Sequence, residues 1–198
     1  MKIYNDLVQG TDEWFKVRLG KLTASTAQAV ASNGKGLETL CFEKVAEIIS
    51  GVQEDGYKNA DMELGNEQEK LARSAYEMET GLPVKTVGFI ELDERVGCSP
   101  DGLVNEDGLV EIKCHNGATL VKLLFSGKID TKYVWQMQFQ MYVTGRQWVD
   151  YVGFNENFPN LKIIRVERDE DAIEKIRIGV EQGKETITSI LEGVSNAK

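Results

Sequence analysis

Asp101, Glu111 and Lys113 are the residues of this 198-residue chain whose types and spacing could do chemistry. They lie in Cys98-Ser99-Pro100-Asp101-Gly102 and Leu109-Val110-Glu111-Ile112-Lys113-Cys114. Side chains alternate across a strand, so Glu111 and Lys113 share one face while Val110 and Ile112 fill the other. Breaking a phosphodiester requires an activated water and something to offset the charge that builds at phosphorus. Mg²⁺ held by one or two carboxylates plus substrate oxygens meets both needs, because it takes hard oxygen ligands and acidifies bound water. Asp101 and Glu111 are the expected holders of the metal. Lys113 would orient or deprotonate the attacking water, or offset charge on the pentavalent phosphorus.

These residues must be brought together by a hairpin, and Asn105-Glu106-Asp107-Gly108 between the two runs carries the Asp-Gly turn signal. A Glu106-Asp107-Gly108 loop with Gly108 left-handed would place Leu103 across from Glu111 and Asp101 across from Lys113, all on one face. A four-residue loop would turn Asp101 away; a bulge near Pro100 and Gly102 would restore it. An acid two places before a lysine recurs at Asp130-Thr131-Lys132. That match follows a Gly-interrupted polar stretch without alternating apolar neighbours, and is expected to be a loop or helix start.

Around these motifs the pattern predicts helices from Thr11 to about Leu19, from Ser25 onwards, over 37–50 with Gly51 as its stop, and a further helix carrying Glu69 that ends at Gly81. A polar linker, 53–59, separates the last two. Strands are expected at 84–92, 96–104 and 109–114, then helices at 118–125 and 132–144, strands at 148–154 and 161–167, and a final helix from Asp169 towards Glu192. No repeat or boundary divides the chain, so the reading is one α/β domain, 1–198, with a mixed central sheet flanked by helices.

Composition bounds this reading. Hydrophobic residues make up 41% of the chain with three prolines, as in a folded protein with a sizeable core. No apolar run is long enough for a membrane span, and Met1-Lys2-Ile3-Tyr4-Asn5-Asp6 lacks a signal-peptide core, so a cytoplasmic location is expected. Cys41, Cys98 and Cys114 have no metal-binding spacing and read as reduced thiols. His115, adjacent to Cys114, would face the opposite way and reads as a strand-end residue. The net charge of −9 has the wrong sign for a protein that grips DNA by broad phosphate neutralisation. Any positive lining must be local, from Arg18, Lys35, Lys113, Lys128 and Lys132, and DNA binding by an isolated monomer should be weak and salt-sensitive.

More of the chain fits one family. Pro100-Asp101 followed by Glu111-Ile112-Lys113, together with Gln9-Gly10, Trp14, Arg18, Gly20, Thr23-Ala24-Ser25, Gly65, Glu69, Ser99, Gln136-Met137-Gln138 and Tyr142, resembles the phage lambda exonuclease and YqaJ viral recombinase nucleases, a branch of the PD-(D/E)XK superfamily. The resemblance implies a restriction-endonuclease-like core. It implies a metal site of Asp101, Glu111, the Ile112 carbonyl and Glu69, with Lys113 catalytic, and a 5′-phosphate pocket of Arg18, Ser25, Ser99 and Gln138. Each pocket residue has a plain structural alternative: a surface arginine, a helix cap at Ser25 or Thr23, and helix packing for Gln138 with Tyr142. DNA contacts are implied at Lys35 and at Met62, an apolar wedge for the duplex end, with Leu64 an equal contender. The implied activity is a Mg²⁺-dependent (Mn²⁺ substituting) 5′-to-3′ double-strand exonuclease acting on 5′-phosphorylated ends. It would release mononucleotides and leave a 3′ single strand for an annealing partner. A homotrimeric ring and a phage or prophage setting in a bacterial host come with it. A structure-specific endonuclease and a non-catalytic DNA-end scaffold are the alternatives.

Overall fold

The computed structural model describes residues 1–53 and 60–196, and of 60–66 the backbone only. It contains two mixed sheets flanked by helices where the sequence reading expected one. The first runs β1 (Lys2–Tyr4), β4 (Phe89–Asp93), β5 (Val96–Cys98), β2 (Leu22–Thr23). The second runs β3 (Val84–Lys85), β6 (Gly102–Val104), β7 (Gly108–Cys114), β8 (Trp148–Phe154), β9 (Lys162–Glu167).

The expected strands 84–92 and 96–104 each break in two, and their halves join different sheets. At the first break Gly88 donates its N–H to Tyr4 O at 3.0 Å. A Cβ on Gly88 would sit 1.9 Å from Leu7 O, so only glycine lets the crossing chain pass under the N-terminal segment. At the second break Pro100 has no N–H to give to a ladder. Ser99-Pro100-Asp101 therefore forms the passage from β5 to β6, and sets a hydroxyl and a carboxylate at the junction of the sheets.

The β6–β7 register also differs from expectation. Gly102 pairs with Val110, Leu103 with Leu109 and Val104 with Gly108, so the loop is Asn105-Glu106-Asp107. Asn105 takes the left-handed conformation, φ +48°, and Gly108 stays in the strand. The reason is packing: the Trp148 ring lies 2.1 Å from where a Gly108 Cβ would be, so this glycine serves as the floor for an indole. The slip from the expected register is two residues. An even slip preserves faces, so 101, 109, 111 and 113 still point one way.

Seven α-helices cover the sheets among the described residues: α1 (Asp12–Arg18), α2 (Ala27–Ser32), α3 (Lys35–Ser50), α4 (Ala60–Thr80), α5 (Gly117–Ser126), α6 (Thr131–Thr144) and α7 (Glu170–Asn196). The larger core gathers Leu22, Val30, Leu40, Leu109, Met141 and Ile176, joining α2, α3, α6 and α7 to one face of β7. On the other face Val110, Ile112 and Val152 pack against Ala72 and Tyr76 of α4. Strand β7 is thus held from both sides, with Glu111 turned to α6. Thr11 caps α1 by accepting the Trp14 N–H, and Gly51 and Gly81 end α3 and α4 in left-handed conformations, as the sequence predicts. Asp130, in the second acid-lysine match, caps α6 by accepting the Lys132 N–H.

Candidate active site

Asp101 and Glu111 come together because the β6–β7 ladder, continued one step beyond Gly102–Val110, makes them neighbours. The Ile112 N–H donates to Asp101 Oδ2 at 2.6 Å, fixing the carboxyl beside β7. Glu111 is 1% exposed. A buried carboxylate is costly unless donors surround it, and here they do. Lys113 Nζ and Gln136 Nε2 reach Oε1, each at 2.5 Å, and Gln140 Nε2 reaches Oε2 at 2.6 Å. Gln136 and Gln140 lie four apart on one face of α6, which the sequence reading missed. It named only Gln136-Met137-Gln138, and the i, i+4 spacing of Gln136 and Gln140 was the signal that pairs them.

Glu69 joins from α4 in an ion pair with Arg73, one turn further on. Burial, then repulsion from Glu111, holds the Asp101 carboxyl well above the usual carboxylate range, against the pull of Lys113. Burial likewise raises Glu69, with Arg73 opposing. Burial works against the Lys113 charge, yet Glu111 and Asp101 outweigh it and keep the ammonium protonated more firmly than usual. A cavity of about 280 Å³ lies beside Asp101 and Glu69, bounded by Arg73 and by 5–9 of the N-terminal segment.

Among the described residues no three His, Cys, Asp or Glu side chains form a ready-made metal cage. Two neighbouring carboxylates and the Ile112 carbonyl nevertheless fit a hard cation that draws its remaining ligands from water and substrate. The raised Asp101 supports this: two acids that repel each other are a place where a divalent ion relieves strain. Hard oxygen donors suit Mg²⁺ or Mn²⁺.

The structure also gathers Arg18, Ser99 and Ser25, together with Thr23, which the sequence reading did not assign. Arg18 donates to Ser99 Oγ at 3.4 Å and to Thr23 Oγ1 at 3.5 Å, and Thr23 Oγ1 lies 3.1 Å from Ser25 Oγ. Trp14 builds the wall. Its ring lies 4.1 Å from the Arg18 guanidinium carbon, and its Nε1 donates to Ser99 Oγ at 2.9 Å. Arg18 Nε is buried without a hydrogen-bond partner, and no carboxylate pairs with the guanidinium among the described residues. Burial lowers its pKa to about 10.

Gln138 is not brought to this cluster. Its Nε2 donates to Glu167 O at 2.8 Å and its Oε1 accepts from the Asp169 N–H at 3.0 Å, so the amide ties β9 to the start of α7. Lys35 is an exposed first residue of α3. Met62, with Leu64, lies outside the residues whose side chains are described. His115, just past β7, has Nε2 2.8 Å from Tyr151 Oη.

The fold and this acid-lysine centre define a class, that of solved exonucleases. An alkaline exonuclease from Laribacter hongkongensis, LHK-Exo, is 36% identical, with a TM-score of 0.86 over 94% of this chain and 97% of its own. The same enzyme in complex with dAMP is 37% identical over the same shares, also at 0.86. A phage-related exonuclease from Haemophilus somnus 129PT shares the fold at 15% identity and a TM-score of 0.70, over 88% of this chain and 96% of that one. No match is found among curated proteins. The profile of the YqaJ-like viral recombinase domain matches residues 13–147, and the chain belongs to that family.

Proposed function

We propose that this chain is a Mg²⁺-dependent exonuclease that digests the 5′-ended strand of duplex DNA to mononucleotides and leaves a 3′ overhang for annealing. The observation that carries this reading is the half-buried Arg18, its Nε out of solvent, held by Trp14 and two hydroxyls without a carboxylate, against the opposite end of the Ser99-Pro100-Asp101 crossing from the Asp101 carboxylate. A terminal phosphate supplies what that guanidinium lacks, since its fork matches phosphate oxygens and the dry setting strengthens the contact.

Asp101, Glu111 and the Ile112 carbonyl would hold Mg²⁺, with Glu69 behind them; the bound ion supplies a Lewis acid for the phosphoryl oxygen and a more acidic water. Lys113 would orient or deprotonate the attacking water, or offset charge developing at phosphorus; without metal, Glu111 and Asp101 hold its ammonium protonated. Gln136 and Gln140 keep Glu111 aimed while its charge is shared. Arg18, Thr23, Ser25 and Ser99 grip the 5′ phosphate and fix which bond meets the acids. The dAMP complex of LHK-Exo agrees with a nucleotide as product. A trimeric ring enclosing the duplex would let a chain of net charge −9 stay on DNA, and an annealing protein would receive the overhang.

Linear duplexes with and without a 5′ phosphate, in Mg²⁺ or EDTA, test the reading. Metal-dependent release of mononucleotides favouring the phosphorylated end is expected. Equal cutting of covalently closed circles, or digestion indifferent to EDTA, would overturn it.

A further inference from the structure

Beyond Lys113 lies a second cavity, of about 650 Å³, to which the proposed chemistry gives no work. It opens between α5, the 127–130 loop and the start of α6, and Tyr133 and Tyr151 form its inner wall. Tyr133 is shared with the active site: the Lys113 ammonium lies 5.1 Å from its ring centroid, and that of Lys132 lies 4.8 Å from the same ring. Tyr151 pairs with Glu111 across β7 and β8, and its ring centroid is 5.9 Å from that of Tyr133. The cavity therefore adjoins the catalytic centre across one aromatic wall.

Its charge is the unusual part. The chain has 32 acidic residues against 23 basic ones, yet Lys122, Lys128 and Lys132 all border this space. Among the described residues none of the three makes an ion pair with a carboxylate. The carboxylate present, Asp130, accepts the Lys132 N–H and caps α6. Three unpaired ammonium groups around an aromatic-walled cleft suit a polyanion with planar groups.

We infer that this cleft is a subsite for two or three consecutive phosphates of the DNA beyond the scissile bond, with Lys122 and Lys128 gripping backbone and Tyr133 transmitting the strand's position to Lys113. The inference rests on the proposed exonuclease reading and names a further part of its substrate site. Phosphates on the 5′ side end at Arg18, so those in the cleft belong either to the digested strand on the 3′ side of the cut or to its complement.

The test uses the full chain and a K122Q/K128Q variant. Both lysines are exposed, so melting temperature should not move, and K122R/K128R should restore whatever is lost. Binding of a 5′-phosphorylated duplex, read by fluorescence anisotropy without metal, should weaken about tenfold, and the slope of log K against log salt should become shallower by about 2. In Mg²⁺ the KM should rise with kcat little changed. Duplexes with uncharged methylphosphonates at the second and third linkages of one strand then assign the source. Loss of wild-type affinity that the variant no longer shows, on modifying the 5′-ended strand, places that strand in the cleft; the same coupling on the other strand places the complement there. A variant matching wild type in affinity and salt slope, or sensitive to both modifications as wild type is, would overturn the inference. Because binding is read without turnover, wild-type protein that binds through these lysines but digests nothing would defeat the exonuclease reading alone.

Discussion

Glu111 and the guanidinium of Arg18 are both charges largely withdrawn from solvent, but they are satisfied in opposite ways. Glu111 receives an ammonium and two amides at 2.5 to 2.6 Å, so its charge is balanced within the protein. Arg18 has contacts of 3.4 and 3.5 Å and a partnerless Nε. Protein folding tolerates a charge left short of partners only where something else makes up the deficit. The contrast separates a carboxylate surrounded by the protein's own donors from a guanidinium that, on the proposed reading, takes an anion from outside.

The sharpest way to break this comparison is at Lys113. A K113A variant should lose turnover by about 10²–10³-fold while keeping its affinity for DNA ends within a few-fold, as single-turnover and binding assays would show. Retained turnover would remove the lysine from the chemistry. Next in size is R18M, which should reduce the preference for 5′-phosphorylated over hydroxyl ends by about 10–100-fold. Thermal stability should hold or rise, because an unpaired buried charge is replaced by an apolar side chain. A preference that survives in R18M would mean the phosphate is read elsewhere.

The smallest effect concerns Asp101. Its folded-state pKa lies above the ordinary 3.8, so the metal-free native state binds more protons than the unfolded chain between those values. Stability therefore falls as pH rises through the folded value, and the penalty is absent below the unfolded one. D101N removes it. Without metal the variant should melt higher than wild type at pH 8 by a few degrees, about 2–4 °C for each kcal/mol, and the gap should close on approaching pH 4. Mg²⁺ should stabilise wild type and leave D101N unmoved. A gap independent of pH would mean Asp101 is not strained by its neighbours.

Periodicity made most helices and the strands at 108–114 and 148–154 readable, because each carries its own apolar pattern and stop signal. The division into two sheets was not readable. It depends on Gly88 passing beneath Leu7, a contact between residues 81 apart in sequence. The turn was misjudged because Asp107-Gly108 has the composition of a left-handed corner, while Trp148 claims that glycine for packing. In the site, the alternation of β7 displayed Glu111 and Lys113 directly. Choosing among Gln136, Gln138 and Gln140 needed the rotation of α6: two face Glu111 and the third faces the β9–α7 junction. Trp14, Thr23 and Arg73 act through neighbours, and nothing in their local sequence declares the neighbour.

The crossing at Ser99-Pro100-Asp101 has one more consequence. Gln9 Nε2 clasps Pro100 O at 3.2 Å and Val87 O at 3.3 Å, so the tripeptide is anchored at its midpoint to the other crossing. With proline fixing the torsion between them, the hydroxyl facing Arg18 and the carboxylate facing Ile112 ride on a single inflexible tether. On the proposed reading the two are coupled through this tether: a mutation that moves it would shift both where an end is recognised and where it is cut.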